Sequence, residues 1–493
     1  MNTALQNRRI AAPADPRPPR AAFAWLPVAA VAVVTAAALV VEAARQAYHG
    51  DELYFLAAAQ HLSWGYADQG FLVPFLAWVA EAGGGSPLAL RAPAIAATVV
   101  GVVLAALLAR EFGGGRWAQV ATAAVSAAAP RVVDTGSLLA TQTFDIPLWI
   151  ATTWLLVRWA RTRADRLWWG MGAVAGFAFT AKPLIAVFWV CCVAVLVVST
   201  RNPALVPNVG RLVALGGLGV LPYLIWQWAH GFPQATLVPV VAQETGQFAG
   251  GKAAVLPLTL LSNGALAGAA LAVYGCWVLL RNPRYRFLGW TVLAVTAVML
   301  VAGGRYYYCA GLFPACWAAA ATHLAGTRGA WRKAASVGVS AATGAVLLVT
   351  SLVATGPAWA TAATLEVRAE QGWPAFTDAV AQAYATLPAG ATVVTAHYWQ
   401  ASAVNWFGPG LGLPPAYSPH RGFADFGTPS DTGGPVLYVG TDPTPLHTHC
   451  VRESVTPAQP GHGFDGLNQG VPIWVCAAPA QPWSVLWPRL RHS

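Results

Sequence analysis

The feature that most constrains this chain is a succession of long apolar runs. They fall at about residues 21–43, 88–110, 116–131, 137–157, 167–181, 183–199, 210–229, 256–280, 286–302, 306–325 and 332–355. A helix needs roughly 20 apolar residues to cross a bilayer, and most of these runs reach or approach that length. The composition agrees: 56% of the 493 residues are hydrophobic and 10% are charged, against about 25% charged in soluble domains. The stretch 167–199 is too long for one helix and is divided by Lys182-Pro183. Proline lacks a backbone donor and disfavours helix in the residue before it, so two helices are expected to meet there. That makes eleven spans, and an odd number puts the two ends of the chain on opposite sides.

Arginine and lysine choose the orientation. With a cytoplasmic N-terminus, eighteen positive residues fall in inner segments and six in outer turns and span ends. That is a clear positive-inside signal. Joining 167–199 into one span would invert every later loop and destroy it. The net charge of +10 is therefore read as orientation signal, and nucleic acid is excluded as a partner. Three regions follow. Residues 1–20 read as a disordered cytoplasmic arm, 21–355 as the transmembrane domain, and 356–493 as an extracytoplasmic domain. The chain is a mainly α polytopic membrane protein of the plasma membrane, multi-pass, with a C-terminal α/β domain.

In that C-terminal region charge, Pro and Gly rise, and β-type runs occur at 392–394, 436–439 and 473–475. Helix-like segments at 374–386 and about 398–406 flank the first, so a small sheet, parallel in part, is expected. Tyr398, Trp399, Trp406, Phe407, Tyr417, Phe423 and Phe426, with Asn405, His420 and Asp425, could stack on and bind sugar or simply form a domain core. Cys450 and Cys476 could pair on the oxidising side of the membrane. The other five cysteines lie in or beside apolar spans and read as small buried residues.

The outer loop 44–87 holds the tightest acidic cluster. His49, Asp51, Glu52, Tyr54, His61, Tyr66 and Asp68 stand within it, followed by Gln69. A helix is expected over Glu52–Ser63 with Asp51 as its N-cap, and a second, interfacial one over Leu72–Ala82. Asp134, Lys182 and Arg305 fall on the same outer side, in other turns. Ionisable groups at spans are costly and are usually retained for function. The loop 230–255, with Gln243-Glu244-Thr245, suits a mobile lid or a carbohydrate contact.

Asp51-Glu52-Leu53-Tyr54-Phe55 and Gly65-Tyr66-Ala67-Asp68-Gln69 resemble the first-loop signature of glycosyltransferase family 39. This family includes the protein O-mannosyltransferases and lipid A aminoarabinose transferases, with the GT-C membrane fold. Asp145 in Thr143-Phe144-Asp145-Ile146-Pro147, the turn Thr180-Ala181-Lys182-Pro183, and Leu221–Gln227 with Gly231-Phe232-Pro233 are similar to later motifs. Arg305-Tyr306-Tyr307 with Pro314 is similar to another. The stretch Tyr398–Ser418 resembles actinobacterial members. One departure stands out: many members carry two prolines after the Asp or Asp-Gln of the turn, where this chain has Gly70 and Phe71.

The resemblance implies a GT-C-like fold and a polyprenyl-phosphate-linked sugar as donor. Membrane lipids would surround the enzyme, and transfer of a mannose- or arabinose-like sugar would occur on the outer side, to a protein, glycan or lipid acceptor. An inverting transfer needs a base for the acceptor hydroxyl and cations for the leaving phosphate. Asp51 is the expected base, with Glu52 and Asp68 as further catalytic carboxylates. Lys182 and Arg305 are expected at the phosphate. Tyr54, Tyr66, Gln69, Asp134, Asp145 and Tyr306 are expected to contact substrate. No cofactor is assigned. A divalent cation, Mg or Mn, is the one left open, and Asp51, Glu52 and His61, with His49 beside them, would hold it. The competing readings are a secondary transporter or lipid-sugar flippase, and a non-catalytic sensor or assembly protein. The charges gather at one face and no internal repeat is visible, which weighs against a carrier.

Overall fold

The computed structural model describes residues 21–200, 205–248, 252–326, 371–431, 434–458 and 466–492, with isolated residues 203 and 338. The run 332–355 and the domain boundary at 356 lie outside the described residues. From the N-terminus come α1 (Trp25–Ala43), α2 (Gly50–Ala59), α3 (Leu72–Ala82), α4 (Pro87–Glu111), α5 (Arg116–Ala127), α6 (Pro130–Thr135) and α7 (Thr141–Thr162). They are followed by α8 (Leu167–Ala181), α9 (Ile185–Thr200), α10 (Leu205–Ala229), α11 (Pro233–Phe248), α12 (Lys252–Arg281), α13 (Arg286–Val301) and α14 (Phe313–Ala325).

Ten of the eleven expected runs are occupied by helices. Lys182 ends α8 in an extended conformation and α9 begins at Ile185, so the chain does break at Lys182-Pro183. Among the described residues four helices are long and apolar enough to cross a membrane: α1, α4, α10, and Ala254–Arg281 within α12. Others, such as α5 with 12 residues and α14 with 13, are shorter than the expected uniform spans. In α14 the chain first makes a short 3-10 turn at Ala310–Leu312, so the apolar run starts before the helix does. The α8–α10 pair packs closely because both present glycine. A Cβ on Gly176 would lie 2.9 Å from the Gly216 carbonyl, and one on Gly219 2.3 Å from that of Gly176. Most of the segment 230–255, expected as a long loop, is the helix α11.

The C-terminal region adds α15 (Trp373–Tyr384), α16 (Tyr398–Phe407) and α17 (Trp483–Leu490) around a five-stranded sheet. Its strands are β1 (Thr392–Thr395), β2 (Ala416–Tyr417), β3 (Val436–Val439), β4 (Cys450–Val455) and β5 (Pro472–Cys476), in the order β2-β1-β3-β5-β4. β1 runs parallel to β2 and β3, while β5 is antiparallel to β3 and β4, so the sheet is mixed. Cys450 and Cys476 are register partners on β4 and β5 and form a disulfide.

This sheet region does not hang free. Leu53, Phe55, Leu56 and Val73 of the first loop share one buried cluster with Trp373, Phe376, Val393, Tyr398, Val404 and Leu437. Burying large side chains is worth roughly 1.5–3 kcal/mol each, so the loop and the sheet region stabilise one another. The functional consequence is that α2 is clamped between the helical bundle and α16.

Candidate active site

The start of α2 sets the geometry. His49, not Asp51, is the N-cap: its Nδ1 accepts from the Asp51 amide at 3.0 Å. The Glu52 carboxylate in turn accepts from the His49 amide at 3.1 Å, completing a capping box. The helix therefore begins two residues earlier than expected and ends at Ala59. Released from capping, the Asp51 side chain reaches across to α16. Its Oδ1 accepts from Tyr398 OH at 3.1 Å and from Trp399 Nε1 at 2.9 Å. Gly50 makes this approach possible, because a Cβ there would lie 2.4 Å from the Trp399 ring.

Glu52 faces the other way. It forms a bidentate pair with Arg91 of α4, Nε to Oε1 at 2.8 Å and Nη2 to Oε2 at 2.6 Å, with both residues fully buried. Arg91 also donates to the carbonyls of Ala43, Gln46 and Ala47. The pair thus ties the end of α1, the entry to α2 and α4 into one unit.

Asp68 lies in the turn before α3 and accepts from Tyr54 OH at 2.9 Å. Burial pushes its carboxyl up to about 6, against the pull of the Arg421 charge and the Tyr54 hydrogen bond. The neutral carboxyl is therefore the form the fold prefers. Its stabilising contribution is fully present below 3.8, the unfolded value, and is lost as pH rises through about 6. We expect thermal stability in detergent to fall between those pH values by no more than about 3 kcal/mol on this account. In Asp68→Asn that part of the pH dependence should vanish; an identical profile would place the ionisation elsewhere.

The turn itself is locked from several sides. Tyr66 OH accepts from the Ser63 amide and reaches the Ala58 and His61 carbonyls, and its own carbonyl accepts from Gln227 at 2.9 Å. A Cβ on Gly70 would lie 2.1 Å from the Thr180 carbonyl, so the turn presses on the end of α8. That contact explains the residue standing where a proline was expected. Gln69 is buried with no hydrogen-bond partner for either side-chain atom.

Opposite Asp51 stands a cationic group that the sequence pointed to only in part. Glu244 of α11 pairs with Arg305 through one oxygen and with Arg421 through the other, the latter at 2.5 Å. Arg421 adopts φ +52°, a left-handed conformation uncommon for a non-glycine residue, and lies over the Tyr398 ring. Lys182 Nζ sits 4.3 Å from the Tyr308 ring centre and 5.3 Å from that of Tyr307. Arg131 lies 4.8 Å over Tyr307 and reaches Tyr306 OH at 3.4 Å. Asp51, Glu52, Glu244, Arg305, Tyr306, Tyr307, Tyr398, Trp399 and Arg421 line one open cavity of about 250 Å³.

Not every expected residue joins it. Lys182 stands behind the tyrosines, and Asp145 accepts from Trp149 Nε1 at 2.8 Å inside the bundle. Asp134 is on α6 and is not among the residues lining this cavity. Tyr54 and Tyr66 form the wall around Asp68. The metal set does not assemble: Glu52 is committed to Arg91, and His61 stacks on Phe426 at 4.9 Å. Among the described residues no three of His, Cys, Asp or Glu gather to hold a cation. Sequence reasoning passed over Arg91 and Arg421, and took Glu244 only as part of a lid or carbohydrate contact. One signal pointed to Glu244: it is the only acidic residue between Asp165 and Glu366.

Comparison with known proteins bears on the fold. Residues 68–226 match the dolichyl-phosphate-mannose-protein mannosyltransferase family. No curated protein matches the chain in sequence. The structure of ArnT from Cupriavidus metallidurans in the apo state superposes with a TM-score of 0.58 at 14% identity, covering 91% of this chain and 97% of that one. The chain has the GT-C fold. ArnT from the same organism bound to undecaprenyl phosphate superposes with a TM-score of 0.56 at 15% identity, over 92% of this chain and 98% of that one. The GT-C fold and the apolar helices make this a multi-pass membrane protein with a small C-terminal sheet region.

Proposed function

We propose that this GT-C protein transfers a mannose- or arabinose-like sugar from a polyprenyl-phosphate-linked donor to an acceptor hydroxyl on the outer side of the plasma membrane. The observation that carries the reading is one cavity with a carboxylate on one wall and two arginines held by a single glutamate on the other. The apolar surroundings and the undecaprenyl phosphate bound by ArnT favour a lipid donor.

In this reading Asp51 takes the acceptor proton. Tyr398 and Trp399 hold one of its oxygens, which leaves the other for the incoming hydroxyl. The acceptor oxygen forms the new bond to the anomeric carbon as the bond to the phosphate oxygen breaks. The electron pair leaves with polyprenyl phosphate, and direct displacement inverts the anomeric centre. Arg305 and Arg421 meet the growing phosphate charge, with Lys182 behind the tyrosines adding to the positive field. Glu244 holds the place of the phosphate in the donor-free enzyme and must give up at least one arginine when the donor arrives. Glu52 serves through Arg91 as a positioning residue, and Asp68 orients Tyr54.

Polyprenyl-phosphate mannose and polyprenyl-phosphate arabinose, each mixed with the purified protein, form the test; the readout is free polyprenyl phosphate. Release from one of them identifies the sugar class, while no release from either removes this reading. Glu244→Gln should tighten binding of polyprenyl phosphate about fivefold, because the competing charge is gone. Weaker binding would mean that Glu244 supports the lipid phosphate instead of competing with it.

A further inference from the structure

A second cavity, about 540 Å³, opens on the opposite face of α2, between that helix and the sheet region. Its lining combines the rings of Trp406, Tyr417, Phe423 and Phe426 with the polar ends of Gln60 and Glu81. Gln60 donates to Glu81 at 2.8 Å in an exposed position at the rim. Tyr54 stands between residues of the two linings: its ring lies 4.8 Å from Tyr398 and 5.8 Å from Phe426.

The lining suits one kind of molecule. Aromatic faces pack against the apolar C–H faces of sugar rings, and amide and carboxylate groups pair with their hydroxyls. A purely apolar lipid tail would leave Gln60 and Glu81 facing hydrocarbon at a desolvation cost. From Asp51 to Gln60 the helical rise amounts to about 14 Å, too long for a single sugar ring to span. We infer that this cavity binds an oligosaccharide, the remote units of an acceptor glycan whose reacting end lies at Asp51. The glycan's role as acceptor rests on the transfer reading; its binding rests on the cavity.

The experiment uses the full chain in a detergent without a sugar headgroup. Gluco-, manno-, galacto- and arabino-oligosaccharides, from monosaccharide to hexasaccharide, are titrated by calorimetry. At least one series should bind, more tightly with length. Trp406→Ala should weaken that binding about tenfold, as loss of a central aromatic contact does. Gln60→Ala, at an exposed position that does not threaten folding, should weaken it about threefold, and Ser484→Ala, exposed and outside the cavity lining, should leave it unchanged. No binding by any series, undiminished binding in both cavity variants, or an equal loss in Ser484→Ala overturns the inference. Binding with the expected pattern in a protein that never consumes a lipid-linked donor would sustain the glycan site and sink the transfer reading separately.

Discussion

Asp51→Asn should lower kcat for sugar transfer by about 10² to 10⁴-fold, the range lost with a positioned general base. The donor KM should change little, because Asp51 faces the acceptor side of the cavity and the arginines face the phosphate side. The fold should persist. An asparagine oxygen still accepts from Tyr398 OH and Trp399 Nε1, the two bonds that tie α2 to α16. The melting temperature in detergent should therefore stay near that of the wild type, while the amide can no longer take a proton. A variant with wild-type turnover would show that another group is the base, and Asp68 would be the next to test.

The second large effect is on stability. Arg91→Leu removes the partner of a fully buried carboxylate and strands the carbonyls of Ala43, Gln46 and Ala47. Breaking a buried pair from one side costs about 3–5 kcal/mol, since the remaining charge has neither water nor a partner. Arg91→Lys should recover only part of this, because an ammonium cannot make the fork-shaped contact to both Glu52 oxygens. Glu52→Leu combined with Arg91→Leu should lie closer to the wild type than either single change, as replacing a whole buried pair by apolar groups often does. Unfolding of the four proteins in detergent checks the cycle. Additive losses across it would show that the two residues act independently.

Much of the helical architecture was legible because apolar length and proline act locally. The break at Lys182-Pro183 and the bounds of α3 follow from neighbouring residues alone. The sheet was less legible: β2 is two residues long, and β4 is mostly exposed, so neither carries a strong apolar signature. The cap of α2 was misassigned because histidine and aspartate stand two residues apart at its start, and the histidine nitrogen took the role usually given to the carboxylate. At the site, the acids were visible as rare charges in an apolar chain, but their partners were not. Asp51 meets Tyr398 and Trp399 some 347 positions away, and Glu244 meets Arg421 across 177. Those pairings are products of folding the sheet region onto the first loop and onto α11, which no local pattern encodes. Arg305 shows the same limit: its engagement by Glu244 could be seen only in three dimensions.

The most direct measurement is a structure of the protein with polyprenyl phosphate bound. The account predicts the phosphate in the first cavity within hydrogen-bond reach of Arg305, opposite Asp51, with the Glu244 carboxylate withdrawn from at least one arginine. A lipid phosphate bound elsewhere in the helical bundle, with the Arg305–Glu244–Arg421 bridge intact, would contradict it.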